Sequence, residues 1–161
     1  MNIISASIIG ENQGLISAGC GTLDSIGNKY KISHIDEICV LQFEHSMSQE
    51  RSVVYHPIQF HKPIDKSSPL LSAALSENET LQVAFKFYRV SVSGYGHLEH
   101  FYTVALNNAR LLSISLHYSH VQMNTVTQPE DIIVLSYDSI SWKHVAAGSE
   151  SHGFLRTETA S

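Results

Sequence analysis

A chain of 161 residues with 43% hydrophobic residues is long and apolar enough to fold as one domain around a buried core, which excludes wholesale disorder. Its formal net charge is −5 and its ten Lys and Arg residues are scattered, so a nucleic-acid surface, which needs clustered cations, is not expected. Membrane insertion is not expected either, since the sequence lacks a run of roughly 18 apolar residues.

The first predicted element is a strand over Ile3–Ile9, where Ser5 and Ser7 interrupt the apolar residues. This interrupted pattern, with no positively charged segment before it, does not resemble a signal peptide. If the protein leaves the cell, we expect it to leave without one. The next stretch, Glu11–Asn28, contains four glycines and is predicted to be a loop.

The two cysteines, Cys20 and Cys39, give neither a CxxC pair nor a zinc-binding spacing. We interpret them as reduced thiols of a protein made in a reducing compartment. A single disulfide between them is the alternative.

Alternation of apolar and polar residues, which is typical of half-buried strands, dominates the rest of the chain. It predicts strands over Ile38–Glu44, 82–88, Phe101–Leu106 and Leu112–Tyr118, with a loop at Ser46–Val53 and a turn at Ser93–Gly96. The parity of the apolar residues changes between Tyr137 and Ile140, which predicts a bulge or bend near Asp138–Ser139. Several short strands with turns between them favour an all-β barrel or sandwich.

One segment, Ser68–Ser76, has the pattern of a short helix instead. A serine at the N-cap is followed by Pro69 at the first helical position, where a missing N–H costs nothing. Leu70, Leu71, Ala74 and Leu75 form an apolar stripe at helical spacing. Asn78 is a suitable C-terminal stop because asparagine accepts the left-handed conformation. So short a helix must dock on the strands.

Ten histidines raise the possibility of a metal site, but the sequence contains no HExxH motif and no carboxylate at ligand spacing. It also contains no GxSxG elbow and no phosphate-binding GK[ST] loop. We therefore interpret the chain as a structural protein without catalysis, metal or cofactor. Two alternatives stay open: a small metal-dependent β-barrel enzyme using some of His56, His61, His117 and His144, and a monomeric ligand-binding barrel.

The segment Ile64–Leu71, which reads IDKSSPLL, resembles an element of the Hcp (haemolysin-coregulated protein) family of bacterial type VI secretion systems. In that family an IDKSSP element follows a strand and opens the only substantial helix. Further segments are similar to family elements in the same order: His34–Leu41 leading into Ser46–Gln49, Phe85–Arg89, His100–Leu106, and Pro129–Tyr137 with Ile140 and Trp142. The resemblance covers roughly residues 1–144.

The resemblance implies a mainly β fold: a β-barrel of two sheets with one short peripheral α-helix, similar to phage tail-tube subunits. The barrel domain is expected at 1–145 and a short flexible tail at 146–161. Some members carry a toxin domain after the barrel; this tail is too short for such a domain, but it could be the stump of one. Members form homohexameric rings that stack into a tube inside a sheath, below a spike protein, and the tube carries small effectors. Such a protein is made in the bacterial cytoplasm and secreted.

The resemblance also suggests roles for individual residues. By position, Gln42 and Glu44 fall where family members turn side chains into the lumen, so we expect Glu44 to contact cargo. The loop Ser46–Val53 matches an extended family loop that reaches the adjacent ring. Met47, Gln49 and Arg51 are therefore candidate ring-stacking residues, and the alternative for them is an ordinary solvated loop.

Overall fold

The computed structural model describes residues 2–27, 34–93, 96–118 and 128–155. Strands dominate it, as the alternation of the sequence predicts. The elements are β1 (Ile3–Gly10), β2 (Gly14–Leu15), α1 (Leu23–Ile26), β3 (Ile38–Val40), β4 (Gln42–Glu44), β5 (Met47–Gln49), β6 (Val53–Tyr55), β7 (Ile58–Pro63), α2 (Ser67–Ser76), β8 (Leu81–Val90), β9 (Leu98–His117), β10 (Glu130–Ser136), β11 (Ser139–His144) and β12 (Ser149–Phe154).

The strands form two antiparallel sheets that share the long strand β9. In the first sheet the order is β3-β1-β8-β9-β11-β12, with β2 at the end of β1, and in the second it is β9-β10-β7-β4. The first sheet uses β9 as far as Ala109, which lies opposite Leu81, and the second begins at Arg110, opposite Ser136. Asn108, the residue before Ala109, has a φ of 51°, a left-handed conformation that asparagine tolerates. The strand therefore bends there and passes from one sheet to the other.

A second crossing closes the barrel on its other side. The predicted strand Ile38–Glu44 is in fact two strands: β3 pairs with β1 in the first sheet, and β4 pairs with β7 in the second. Leu41 lies between them, and its N–H donates to the carbonyl of His61. Because the chain changes sheets at Leu41, the face of the strand that is buried changes too. The two-sheet barrel expected from the family resemblance is confirmed.

Aromatic side chains fill the centre of the barrel between the sheets. Phe60 of β7 and Phe85 of β8 are fully buried, and their ring centroids are 5.2 Å apart in an edge-to-face arrangement. Phe43 continues the series, 4.9 Å from Phe85 and 5.3 Å from Phe87. Edge-to-face packing is the favourable geometry for such rings. The interior is therefore a packed core.

The C-terminal part of the chain differs from the expectation in one respect. The predicted bend is present, since β10 ends at Ser136 in the second sheet and β11 begins at Ser139 in the first. Residues 149–154, however, belong to the expected flexible tail, yet they form β12 and pair along the whole of β11. The β11–β12 hairpin gives hydrogen-bond partners to the backbone groups on one edge of β11, which an unstructured tail would leave unpaired.

Helix α2 starts one residue earlier than predicted, and a different residue caps it. Ser67 is already helical, and the preceding Lys66 makes no side-chain cap. Instead, Asp65 Oδ1 accepts hydrogen bonds from the N–H and the hydroxyl of Ser67, at 2.9 and 2.5 Å. Asn78, with a φ of 51°, follows the end of the helix as predicted.

A buried ion-pair network fastens this helix start to the second sheet. Lys62 of β7 is fully buried, and its Nζ lies 2.9 Å from Asp65 Oδ1 and 3.0 Å from Asp131 Oδ2. Ser68, expected to cap the helix, instead donates to Asp131 at 2.7 Å and accepts from Lys62 at 2.9 Å. The IDKSSP segment thus links three elements through charge-assisted hydrogen bonds.

The glycine-rich stretch after β1 is more ordered than the predicted loop. It contains β2 and the four-residue helix α1, a second helix that the sequence did not suggest. Gly21 is required by close packing, because a Cβ there would lie 2.1 Å from the carbonyl oxygen of His34.

Within the described residues no disulfide joins the two cysteines. Burial raises the pKa of the Cys20 thiol to about 11, so this thiol stays protonated at neutral pH.

Candidate functional site

The second sheet has one face in the barrel core and one face outside it. In β7, Ile58, Phe60 and Lys62 are buried, whereas Gln59 and His61 alternate with them on the outer face. The register places Gln42 opposite His61 and Glu44 opposite Gln59. Both residues predicted to face the lumen are exposed, and they share this outer face because they are two positions apart in one strand.

The outer face of the second sheet is mostly polar, with Ile132 and Val134 as its apolar positions on β10, and it carries carboxylates. Glu44 is one carboxylate of this face, and a second is Glu130 of β10, which accepts from His61 with 3.0 Å between Oε1 and Nδ1. Gln59 Nε2 lies 3.3 Å from the other ring nitrogen of His61. The outer face continues onto β10 through Ile132 and Val134, and onto β9 through Ser113 and Ser115. Arg110 lies at the end of this face, opposite Ser136.

The predicted loop Ser46–Val53 is a two-stranded hairpin rather than an irregular loop. Met47 pairs with Tyr55 and Gln49 with Val53, so Met47 and Gln49 point to the same side of the ribbon. Arg51 is exposed in the turn between the strands. The three candidate stacking residues thus line one exposed arm, the hairpin β5–β6, whose strands pair only with each other among the strands that the structure describes.

Both ends of this hairpin meet at one hydroxyl that the sequence analysis did not single out. Tyr137, at the corner between β10 and β11, donates to the carbonyl of His56 at 2.7 Å. His45 Nε2 lies 2.7 Å from the same hydroxyl, so in this arrangement the ring nitrogen donates to it. Burial raises the pKa of Tyr137 to about 12, and burial, with the nearby His56, lowers the pKa of His45. Only the fold brings these distant residues together.

The four histidines considered for a metal site lie in different parts of the barrel. His56 is at the hairpin base, His61 on the outer face, and His117 and His144 at the ends of β9 and β11. His144 packs against the rings of Phe101 and Tyr102. Across the described ranges, no three His, Cys, Asp or Glu side chains are grouped as metal ligands would be.

In the parts of the chain that the structure describes, no helix has the length and apolar character to cross a bilayer.

Comparison with known proteins identifies the family. The family model described as "Type VI secretion system effector, Hcp" matches residues 13–144. The Major exported protein of Pseudomonas aeruginosa is 35% identical over 167 aligned residues, covering 96% of this chain and 95% of that protein. The Escherichia coli K12 protein YhhZ is 37% identical over 150 residues, covering 92% of this chain. The chain spans only 36% of the length of YhhZ.

A solved structure, described as the crystal structure of Hcp protein, matches with a TM-score of 0.90 and 31% identity, covering 98% of this chain and 99% of that one. Its coverage includes the region of β12, which lies beyond the residues matched by the family model. The sequence match, the similar exported relative and the shared fold agree, and the chain belongs to the Hcp family of type VI secretion systems.

Proposed function

We propose that this protein is the subunit of a type VI secretion tube: six copies form a ring, rings stack, and the tube carries small effectors out of the cell. One observation carries the proposal beyond family membership. The barrel packs its core on one face of the second sheet and turns a polar face outward, next to a protruding hairpin. A ring with a water-filled lumen needs such a face, and stacking needs such an arm.

The packed interior also weighs against a monomeric ligand-binding barrel. Phe43, Phe60 and Phe85 occupy the space between the sheets that a bound ligand would need. Analytical ultracentrifugation tests this point: the proposal expects a hexamer mass at micromolar concentration, and a protomer mass would overturn it. The spike protein, the sheath and the effectors are the further partners that this role implies.

We assign Gln42 and Glu44 to the lumen and to cargo contact. Both are exposed on the outer face of the second sheet, where Glu44 and Glu130 place two carboxylates in each subunit. Six-fold repetition would multiply this charge around a narrow channel, which favours effectors with basic or hydrogen-bonding surfaces.

Replacing Glu44 by arginine reverses this charge at six places in each ring. We expect the amount of effector that co-purifies with the rings to fall about tenfold, equivalent to ~1.4 kcal/mol, while the hexamer mass is unchanged. Glu77→Arg is the matched control, because Glu77 is also exposed but lies at the end of α2. If Glu44→Arg rings retain the normal amount of effector, the assignment of Glu44 to the lumen is wrong.

We assign Met47, Gln49 and Arg51 of the hairpin β5–β6 to contacts between rings. Met47 is 46% exposed on an arm that has no other described strand beside it, which suits a partner surface. We expect Met47→Ser/Arg51→Glu to abolish rods in electron micrographs of concentrated protein and to leave single rings. Lys143→Glu, an exposed reversal on β11, serves as control. Rods of normal length from the double variant would assign stacking to another surface.

A further inference from the structure

We propose that a groove between α2 and β9 receives the hairpin β5–β6 of a second copy of this chain in the adjacent ring, an inference that rests on the stacking role proposed above for this hairpin. Arg51 of the incoming hairpin lies over the acidic end of the groove, and Met47 packs on its apolar wall.

The groove has a volume of about 570 Å³ and is open to solvent along α2. Ile114 and Leu116 of β9 form one wall, and Leu116 is 65% exposed. The other wall is the face of α2 that carries three serines spaced four residues apart, which therefore lie one above another: Ser68, Ser72 and Ser76. An apolar surface left open in this way is typical of a contact with another molecule.

One end of the groove carries more negative than positive charge. Asp65 and Asp131 line it, and among the described residues Lys62 is the one cation paired with them, so one negative charge is left over. Asp65 Oδ2 is buried and has no hydrogen-bond partner within the described ranges. No lysine, arginine or histidine is found among the described residues that line the groove. This end therefore attracts a cation from another molecule.

The hairpin offers the complementary chemistry. Arg51 is exposed in its turn and forms no ion pair within the part of the chain that the structure describes. Val53 lies opposite Gln49, so it shares one side of the ribbon with Gln49 and Met47, and both Met47 and Val53 are exposed. Glu50, of opposite charge, alternates to the other side. One side of the arm thus presents apolar side chains followed by a cation, in the order that the groove requires.

Arm and groove lie at opposite ends of β7. The hairpin leads into β7 at Ile58, whereas the groove begins at Ile64, directly after the strand ends at Pro63. Six residues of extended chain separate these points by about 20 Å. A contact between two different surfaces at opposite ends of a subunit is heterologous and repeats from copy to copy. Head-to-tail stacking of rings needs such a contact.

Cysteine cross-linking tests this contact directly. Gln49→Cys/Ser72→Cys places one thiol on the arm and one on the groove wall, and it leaves the proposed contact residues unchanged. We expect oxidised rods of this variant to give a ladder of covalent multimers longer than six subunits on a non-reducing gel, because each copy is joined to one copy above and one below. Gln49→Cys/Ala73→Cys is the matched control, since Ala73 is the next exposed residue of α2 but does not line the groove. It should give no ladder.

The outcomes separate this contact from the stacking role on which it rests. Rods of Gln49→Cys/Ser72→Cys that give no more ladder than the control would overturn the contact and leave stacking intact. A ladder that ends at six subunits in dilute single rings would overturn the stacking role, because the arm would then join neighbours within one ring. Wild-type protein that never forms rods would overturn it too.

A charge exchange provides a second measurement. Ser72→Arg places a cation beside Arg51 of the incoming arm, and we expect the protein concentration needed for rods to rise about tenfold. Arg51→Glu/Ser72→Arg restores an attractive pair and should return that concentration towards the wild-type value. If the double variant forms rods no better than Ser72→Arg alone, Arg51 does not face the groove and the proposed contact is wrong.

Discussion

Lys62→Met is expected to lower the free energy of unfolding by about 3–5 kcal/mol, one of the two largest effects in the molecule. Lys62 is fully buried and is the cation between Asp65 and Asp131. Its removal leaves two carboxylates in the core without a charge partner, and Asp65 Oδ2 already has no hydrogen-bond partner. Chemical denaturation of wild type and variant at equal protein concentration measures the difference.

Lys66→Met is the control for this experiment, since Lys66 is four residues away but exposed. We expect its effect to stay within about 0.5 kcal/mol. A loss of less than about 1 kcal/mol for Lys62→Met would mean that the network contributes little beyond its own desolvation cost. Asp131→Asn removes the negative charge that β10 contributes to the network, and it should lower the free energy of unfolding by a similar amount to Lys62→Met.

Phe60→Ala is the second variant with a large effect, and we expect it to lower the free energy of unfolding by about 3–5 kcal/mol. The ring of Phe60 is fully buried and packs edge-to-face on Phe85, so truncation removes apolar burial and leaves a cavity between the sheets. Because Gln59 and His61 flank Phe60 on the outer face, we also expect the register of that face to loosen. Thermal and chemical denaturation at low protein concentration provide the measurement.

Phe154→Ala offers a matched truncation of the same side chain. Phe154 is 75% exposed at the end of β12, and its loss should change the stability of the protomer by no more than about 0.5 kcal/mol. Similar losses for the two variants would show that the barrel centre can collapse around a missing ring, contrary to the packing seen here.

Patterns of neighbouring residues in the sequence predict the helices and strands well where one physical rule dominates. Helix α2 followed from Pro69, the apolar stripe and Asn78, and the bend between β10 and β11 followed from a change of parity. The helix cap was wrong because Ser68 takes part in a buried network with Asp131 and Lys62, while the side chain of Asp65 is left to cap. That competition between residues distant in sequence cannot be read from a capping pattern.

The candidate site depends on crossings that local pattern does not show. The alternation of residues predicts one strand over Ile38–Glu44. Only the pairing of β3 with β1 and of β4 with β7 shows that the chain changes sheets at Leu41. The assignment of Gln42 and Glu44 to the lumen comes from the family resemblance and stays a prediction, whereas their place on the outer face follows from the pairing of β4 with β7. The hydrogen bond between His45 and the Tyr137 hydroxyl joins residues 92 positions apart, for which one sequence carries no signal.

The bend of β9 at Asn108 has a mechanical consequence for the proposed tube subunit. A single backbone runs through both sheets here, and another does so at Leu41, so the sheets cannot hinge or slide apart unless the main chain itself bends. Force along the barrel would then be borne in shear by the ladder hydrogen bonds of both sheets at once. Such a subunit would transmit thrust as a stiff wall element, with compliance left to the contacts between rings.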